Sequence, residues 1–223
     1  MGKKFDINKH CIVHEKQNAK GDVYVLHGAN SSALLNLPLI NKIKKETEYN
    51  VIACDMRGYG TRKLMKRDIK ESINDYISVI DSRPQFQNNY SFIGKSLGGI
   101  VAVNLSAKKN PSKLFLISSP HGIDVLKNWN IFRKLWYRSL FKEIEDILPQ
   151  NISKLNIDSN NIYVFHNKQD DVIPFSEFES NVKKFKIPEK NTLVESYHIP
   201  IFGHLRSVDS TTFFDFIIKN LKN

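Results

Sequence analysis

Short runs of β-branched and other apolar residues alternate along this chain with segments that carry apolar residues at helical spacing. The strand predictions fall at residues 22–26, 50–54, 90–93, 113–117, 162–165 and 192–197. The helix predictions fall at residues 34–45, 68–80, 97–108, 175–184 and 207–221. This alternation predicts an α/β fold with a mostly parallel central sheet, flanked by helices on both faces and joined by right-handed crossovers. Ligands bind such sheets at the carboxyl ends of the strands.

The chain is predicted to form a single domain over residues 1–223. Its length suits one sizeable domain, and it contains no internal repeat, low-complexity tract or Gly/Ser linker. Residues 121–155 lie between two strand predictions but contain no strand-like run, so we interpret them as an insertion within that domain. Trp129, Phe132 and Trp136 belong to an apolar series at approximately helical spacing in this insertion.

The formal net charge of +10 is compatible with a nucleic acid, an anionic membrane or an acidic protein as partner. The basic residues occur as scattered pairs, with neither zinc-finger spacing nor an RNA-binding motif, so no nucleic-acid partner is expected. No apolar run approaches the ~18 residues that suggest a transmembrane segment, so no transmembrane segment is expected.

The two cysteines are too few for a disulfide framework. Cys54 lies in an apolar stretch and is expected to be a buried free thiol. The N-terminal residues are polar and lack the apolar core of a signal peptide. These features together predict a cytoplasmic location.

The strongest chemical signal is a Gly-x-Ser-x-Gly motif at residues 94–98, which follows a predicted strand and leads directly into an apolar helix. This is the context of a nucleophile elbow, in which Ser96 is presented on a tight strand-to-helix turn. The same turn places the backbone N–H of Leu97 at a helix N-terminus, where free donors favour a developing oxyanion.

A serine hydroxyl needs a base to take its proton, and the base needs an acid to fix its tautomer. Two later segments supply these residue types. The 162–165 strand is followed by a polar turn that holds Asp170 and Asp171, and the 192–197 strand is followed by a loop that ends in Gly203-His204.

With these motifs in order, the sequence resembles the α/β-hydrolase superfamily of serine hydrolases. Besides the elbow, Leu26-His27-Gly28-Ala29 resembles the family's oxyanion loop, and residues 55–60 match its Asp-x-Arg-Gly-x-Gly pattern. The resemblance implies a catalytic triad of Ser96, Asp170 and His204, with Ala29 as the second backbone donor of the oxyanion hole.

Alternatives remain for two members of the triad. Asp171 and Asp124 are the other candidates for the acid, and His198 is the other candidate for the base. His204 is preferred because His198 falls inside or at the edge of a predicted strand.

Two further residues are expected to be structural. His27 should hold the oxyanion loop through a hydrogen bond, and Arg57 should pair with Asp55. Neither a dinucleotide fingerprint, a phosphate loop nor a metal-binding cluster occurs in the sequence, so no cofactor and no metal are expected.

The expected activity is hydrolysis of a carboxylic ester or thioester through an acyl-enzyme on Ser96. In similar proteins an insertion such as 121–155 forms a cap, so Trp129, Phe132 and Trp136 are candidate substrate-binding residues for an apolar acyl group. The alternative is a helix that packs on the domain without substrate contact. A small-molecule ester or thioester is the expected partner, and an acidic acyl carrier is a candidate partner because of the net charge. Other hypotheses are an acyl-thioesterase or carrier-protein-linked ester hydrolase, an interfacial lipase and a non-catalytic small-molecule-binding member of the fold.

Overall fold

The computed structural model describes residues 5–86, 89–120, 144, 157–196, 204 and 210–222. Its centre is a seven-stranded sheet, in the order β1-β3-β2-β4-β5-β6-β7. The strands are β1 (Cys11–His14), β2 (Gly21–Leu26), β3 (Tyr49–Cys54), β4 (Tyr90–Lys95), β5 (Lys113–Ile117), β6 (Ile162–Asn167) and β7 (Thr192–Glu195). All neighbouring strands run parallel except β1, which pairs antiparallel with β3. The predicted α/β fold class is therefore confirmed.

The helices alternate with these strands, as predicted for all of them except the first, four-residue helix. They are α1 (Ile7–His10), α2 (Leu37–Glu46), α3 (Ile69–Asp81), α4 (Leu97–Lys108), α5 (Phe175–Phe185) and α6 (Thr211–Lys222). Short 3-10 turns occur at Leu34–Asn36, Gly60–Arg62, Pro84–Phe86, Ser159–Asn161 and Glu189–Asn191. Within the described ranges, no helix is both long and apolar enough to cross a membrane.

The helices cover both faces of the sheet because alternate side chains of each strand point to opposite faces. Tyr24 contributes to a cluster with residues of α3, α4 and α5, whereas Val25 contributes to a second cluster with α2 and α6. Nine of the twelve residues of α4 are buried, which places this helix deep in the protein directly after Ser96. The apolar clusters on the two faces thus hold the carboxyl edge of the sheet in place.

Strand β1 was not predicted from the sequence. Its apolar run, Cys11-Ile12-Val13, is only three residues long, which is shorter than the runs that mark a strand in a sequence. The strand lies at the edge of the sheet, and its register places Cys11 opposite Cys54 of β3.

The prediction of a free thiol at Cys54 is wrong. Cys11 and Cys54 form a disulfide, and their Cα atoms lie 3.9 Å apart. The pairing follows from the antiparallel register of β1 and β3, which makes these two residues direct cross-strand neighbours. The sequence alone did not predict this contact, because the two cysteines are 43 positions apart in the chain.

Candidate active site

Ser96 occupies a strained turn between β4 and α4. Its φ of 51° and ψ of −118° lie where a non-glycine residue is rarely found, which costs on the order of 1–3 kcal/mol. The turn is held by neighbouring groups: the N–H of Ser96 donates to the carbonyl of Ile117 (2.8 Å), and the hydroxyl of Ser119 donates to the carbonyl of Ser96 (3.0 Å). This geometry leaves the Ser96 side chain partly exposed.

The glycines of the motif are required by close backbone approach. A Cβ atom at position 94 would lie 2.5 Å from the Cα of Gly99, and one at position 98 would lie 2.2 Å from the carbonyl oxygen of Leu26. Because backbone atoms occupy these spaces, a side chain at either position would push the turn apart. The spacing of the two glycines therefore reflects the lack of space for a side chain at positions 94 and 98 of the elbow.

His204 connects Ser96 to Asp170. Its Nε2 lies 3.0 Å from the Ser96 Oγ, and its Nδ1 lies 2.9 Å from Oδ2 and 3.1 Å from Oδ1 of Asp170. Because an ionised carboxylate can only accept, Nδ1 is the protonated ring nitrogen, which leaves Nε2 to accept the proton of the Ser96 hydroxyl. The structure thus brings the three predicted triad residues into one chain of hydrogen bonds.

Asp170 lies in the turn after β6, and its side chain is buried. Its Oδ1 also accepts hydrogen bonds from the N–H groups of Val172 (2.9 Å) and Ile173 (2.8 Å). Burial by itself would raise the pKa of Asp170, but the hydrogen bond and charge of His204 and the amide of Ile173 together hold this pKa below its ordinary value. Asp170 is therefore kept ionised as the partner of the imidazole.

Asp171 and His166 support the same turn. The carboxylate of Asp171 accepts the backbone N–H of His204 at 3.2 Å, so this alternative acid contacts the main chain of the histidine while Asp170 contacts its ring. His166 Nε2 lies 3.0 Å from the carbonyl of Ile173, and burial lowers the pKa of His166. Sequence reasoning assigned neither role, because both depend on contacts across the loop.

The oxyanion loop passes directly beside Ser96. A Cβ atom at position 28 would lie 3.3 Å from the Cβ of Ser96, and Ala29 follows in the same loop. Leu97 is the first residue of α4, where a helix leaves its N–H groups without intrahelical acceptors. The predicted backbone donors thus belong to the loop beside Ser96 and to the first turn of the helix that follows Ser96.

His27 anchors the oxyanion loop as a neutral side chain. Its Nε2 accepts the N–H of Met56 at 3.0 Å, so Nδ1 carries the proton and donates to the carbonyl of Gly28 at 2.8 Å. The ring is fully buried, and burial lowers the pKa of His27. This hydrogen bonding fits the structural role predicted for His27.

The predicted pair of Arg57 and Asp55 does not form. Arg57 lies 3.3 Å from the carboxylates of both Asp75 and Glu71 on α3. The carboxylate of Asp55 instead accepts backbone N–H groups from Ala33 (2.7 Å) and Thr61 (2.8 Å). Asp55 faces these loops, whereas Arg57 faces α3.

The remaining candidates fall outside the described residues. These are the cap segment 121–155, apart from Ile144, with the substrate-binding candidates Trp129, Phe132 and Trp136, and the alternatives Asp124 and His198.

The structure also contains a cleft of about 800 Å³ at the β1 edge of the sheet. Val13, Ile52 and Arg83 contribute to its lining, and none of the three triad candidates does. This cleft is therefore separate from the Ser96 site.

The fold and the family match together define a hydrolase of the α/β-hydrolase superfamily. A family model matches residues 17–187, and the chain belongs to that family, which is described as Serine aminopeptidase, S33 (Hydrolase_4). Comparison with curated proteins finds no match.

Solved structures share the fold at low sequence identity. An esterase from Exiguobacterium antarcticum is 18% identical, with a TM-score of 0.64 over 96% of both chains. MenH from S. aureus is 17% identical, with a TM-score of 0.63 over 96% of this chain and 98% of its own. An esterase from Pyrococcus furiosus is 18% identical, with a TM-score of 0.65 over 93% of this chain and 83% of its own. At these identities, the likeness concerns the fold alone.

Proposed function

We propose that the protein is a serine hydrolase that cleaves a carboxylic ester or thioester through an acyl-enzyme on Ser96. The observation that carries this proposal is the continuous hydrogen-bond chain from the Ser96 Oγ through His204 to the buried carboxylate of Asp170. This arrangement supplies a nucleophile, a base and a group that fixes the tautomer of the base.

In the first half-reaction, the Ser96 Oγ attacks the substrate carbonyl carbon while His204 Nε2 takes the hydroxyl proton. The carbonyl oxygen becomes an oxyanion, which the N–H groups of Ala29 and Leu97 stabilise. Collapse of this intermediate breaks the bond to the alkoxide or thiolate leaving group, which receives the proton from His204. Ser96 is left acylated.

In the second half-reaction, His204 takes a proton from water, and the resulting hydroxide attacks the acyl carbon. Collapse of the second tetrahedral intermediate breaks the bond to the Ser96 Oγ and releases the carboxylic acid, while His204 returns the proton to the Ser96 Oγ. Asp170 remains ionised throughout and stabilises the imidazolium form of His204, which is consistent with its lowered pKa.

The test is hydrolysis of a panel of p-nitrophenyl esters and acyl thioesters of graded chain length by the wild-type and Ser96→Ala proteins. Loss of the nucleophile should lower kcat by at least about a thousandfold, because only binding and the oxyanion hole then remain. Ser106→Ala is the matched control, since Ser106 is buried on α4 and its hydroxyl donates to the carbonyl of Ala102, within the same helix. This control should keep the wild-type rate.

Three results would contradict the proposal. Wild-type turnover by the Ser96→Ala protein would remove Ser96 as the nucleophile. Failure of a fluorophosphonate probe to label folded wild-type protein would favour a binding protein without turnover. The panel also includes an aminoacyl p-nitroanilide, because cleavage of that amide alone would indicate a peptidase and overturn the choice of esters.

A further inference from the structure

Exposed aliphatic side chains gather on two loops at the carboxyl edge of the sheet. Among the described residues, the exposed large hydrophobic side chains are those of Leu34 (63%), Leu35 (61%), Leu64 (95%) and Met65 (44%). The first pair follows β2 and the second pair follows β3, and these strands are neighbours in the sheet. We call these four residues the rim patch. They lie at the same edge as Ser96, which follows β4 on the other side of β2.

One buried carboxylate anchors both loops. Asp55 accepts the N–H of Ala33, the residue before Leu34, and the N–H of Thr61, three residues before Leu64. The second loop is further held by Arg62, which is buried and lies 2.8 Å from the carboxylate of Asp75. The exposed leucines are therefore attached to fixed segments of backbone, so their exposure is a property of the folded state.

The second loop is also strongly basic. Residues 60–68 contain four basic side chains and one acidic side chain, a net charge of +3, and of the four basic side chains only that of Arg62 is buried. Lys63 and Lys66 directly flank Leu64 and Met65, and all four are exposed. Residues 63–66 thus form an amphipathic segment, in which two exposed apolar side chains lie between two positively charged ones.

The residue types of the rim patch and its flanking lysines favour a lipid surface over a protein partner. Protein interfaces are enriched in aromatic residues, methionine and arginine and depleted in lysine, whereas the rim patch has one methionine and no aromatic member and is flanked by lysines. Aliphatic side chains can enter the boundary between headgroups and acyl chains while lysines remain at the level of anionic headgroups. We propose that the rim patch docks the protein onto an anionic lipid surface, with the edge that carries Ser96 turned toward the lipid.

The experiment measures binding to vesicles by co-sedimentation, using the Ser96→Ala protein so that hydrolysis cannot alter the lipid. The vesicles are phosphatidylcholine, either pure or with about 30% phosphatidylserine as the anionic component. Binding should require the anionic lipid and should weaken with added salt. This readout does not depend on the proposed function, so binding and hydrolysis can fail separately.

Two rim variants test the local chemistry. Lys63→Glu with Lys66→Glu should weaken binding by at least about 25-fold, because each basic residue near the surface contributes roughly a fivefold gain in binding. Leu64→Ser with Met65→Ser should weaken it by at least about tenfold, because less apolar surface enters the lipid. Since all four side chains are exposed, the variants should melt at the wild-type temperature.

Lys183→Glu with Lys184→Glu is the control, because it makes the same change in net charge at exposed positions of α5. It should change binding less than about threefold, because α5 connects the parallel strands β6 and β7 and its last turn, which holds both lysines, lies away from the carboxyl ends of the strands. The proposal is overturned if anionic vesicles do not bind the protein, if the rim variants bind like the parent, or if the control weakens binding as much as the rim variants. Binding of an acidic acyl carrier through the same lysines, without vesicle binding, also overturns it.

Discussion

Reduction of the Cys11–Cys54 disulfide should lower the free energy of unfolding by up to about 4 kcal/mol. The bridge closes a loop with a sequence separation of 43 residues. In the chain-entropy model, a loop of this length removes about 13 cal/mol/K from the unfolded state, which is about 4 kcal/mol at ~25 °C. With an unfolding entropy of about 2.1 cal/mol/K per residue, the corresponding fall in Tm for 223 residues is about 8 °C.

The assay is urea unfolding of the same protein sample before and after treatment with a dithiol reductant. The reduced protein should unfold at a lower urea concentration with an almost unchanged native baseline, because the β1–β3 ladder and the bond from the Asp55 N–H to the His10 carbonyl (2.8 Å) remain. A Cys11→Ala, Cys54→Ala protein is the control and should not respond to the reductant. Identical unfolding midpoints for the oxidised and reduced wild-type protein would refute the reasoning.

Two further predictions concern the site. Gly98→Ala should destabilise the protein by about 1–3 kcal/mol in urea unfolding and slow ester hydrolysis, because the new methyl group meets the Leu26 carbonyl at 2.2 Å; a wild-type unfolding midpoint would contradict this. Burial raises the pKa of Asp170, but the contacts with His204 outweigh this effect and lower it. The stability gained from the carboxylate should therefore be present above the pKa of the unfolded state, about 3.9, and should be lost as the pH falls through the lower pKa of the folded state. Urea unfolding should therefore show that the difference in the free energy of unfolding between the wild-type and Asp170→Asn proteins becomes smaller as the pH is lowered. A difference that grows at acid pH would contradict the assignment.

Much of the fold could be predicted because its signals are local. The six parallel strands are short apolar runs, and the helices between them have apolar residues at helical spacing, so each element is marked by its own residues. The elbow was predictable for a similar reason. Its glycines are required by atoms of the same turn or of the adjacent strand, so the requirement leaves a fixed spacing around Ser96.

The features that sequence reasoning missed depend on register between distant segments. The Cys11–Cys54 disulfide exists because β1 pairs antiparallel with β3, and the apolar run of β1 is too short to mark a strand by itself. The error at Arg57 has a related cause. Its closeness in sequence to Asp55 favoured that pair, but backbone N–H groups already occupy the Asp55 carboxylate, and Arg57 meets Asp75 on α3.

Asp55 shows why the surroundings of the nucleophile are harder to predict than the triad. The triad residues follow three strand ends at one edge of the sheet, which limits the candidates to a few residues, and the resemblance to the α/β-hydrolase superfamily selects Ser96, Asp170 and His204 among them. The loops around them have no such constraint of their own. Asp55 directly follows Cys54, the last residue of β3. One of its carboxylate oxygens holds the loop after β2 at Ala33, and the other holds the loop after β3 at Thr61. Because an unpaired buried carboxylate would be costly, these two loops are positioned together by one residue whose partners only the folded chain supplies.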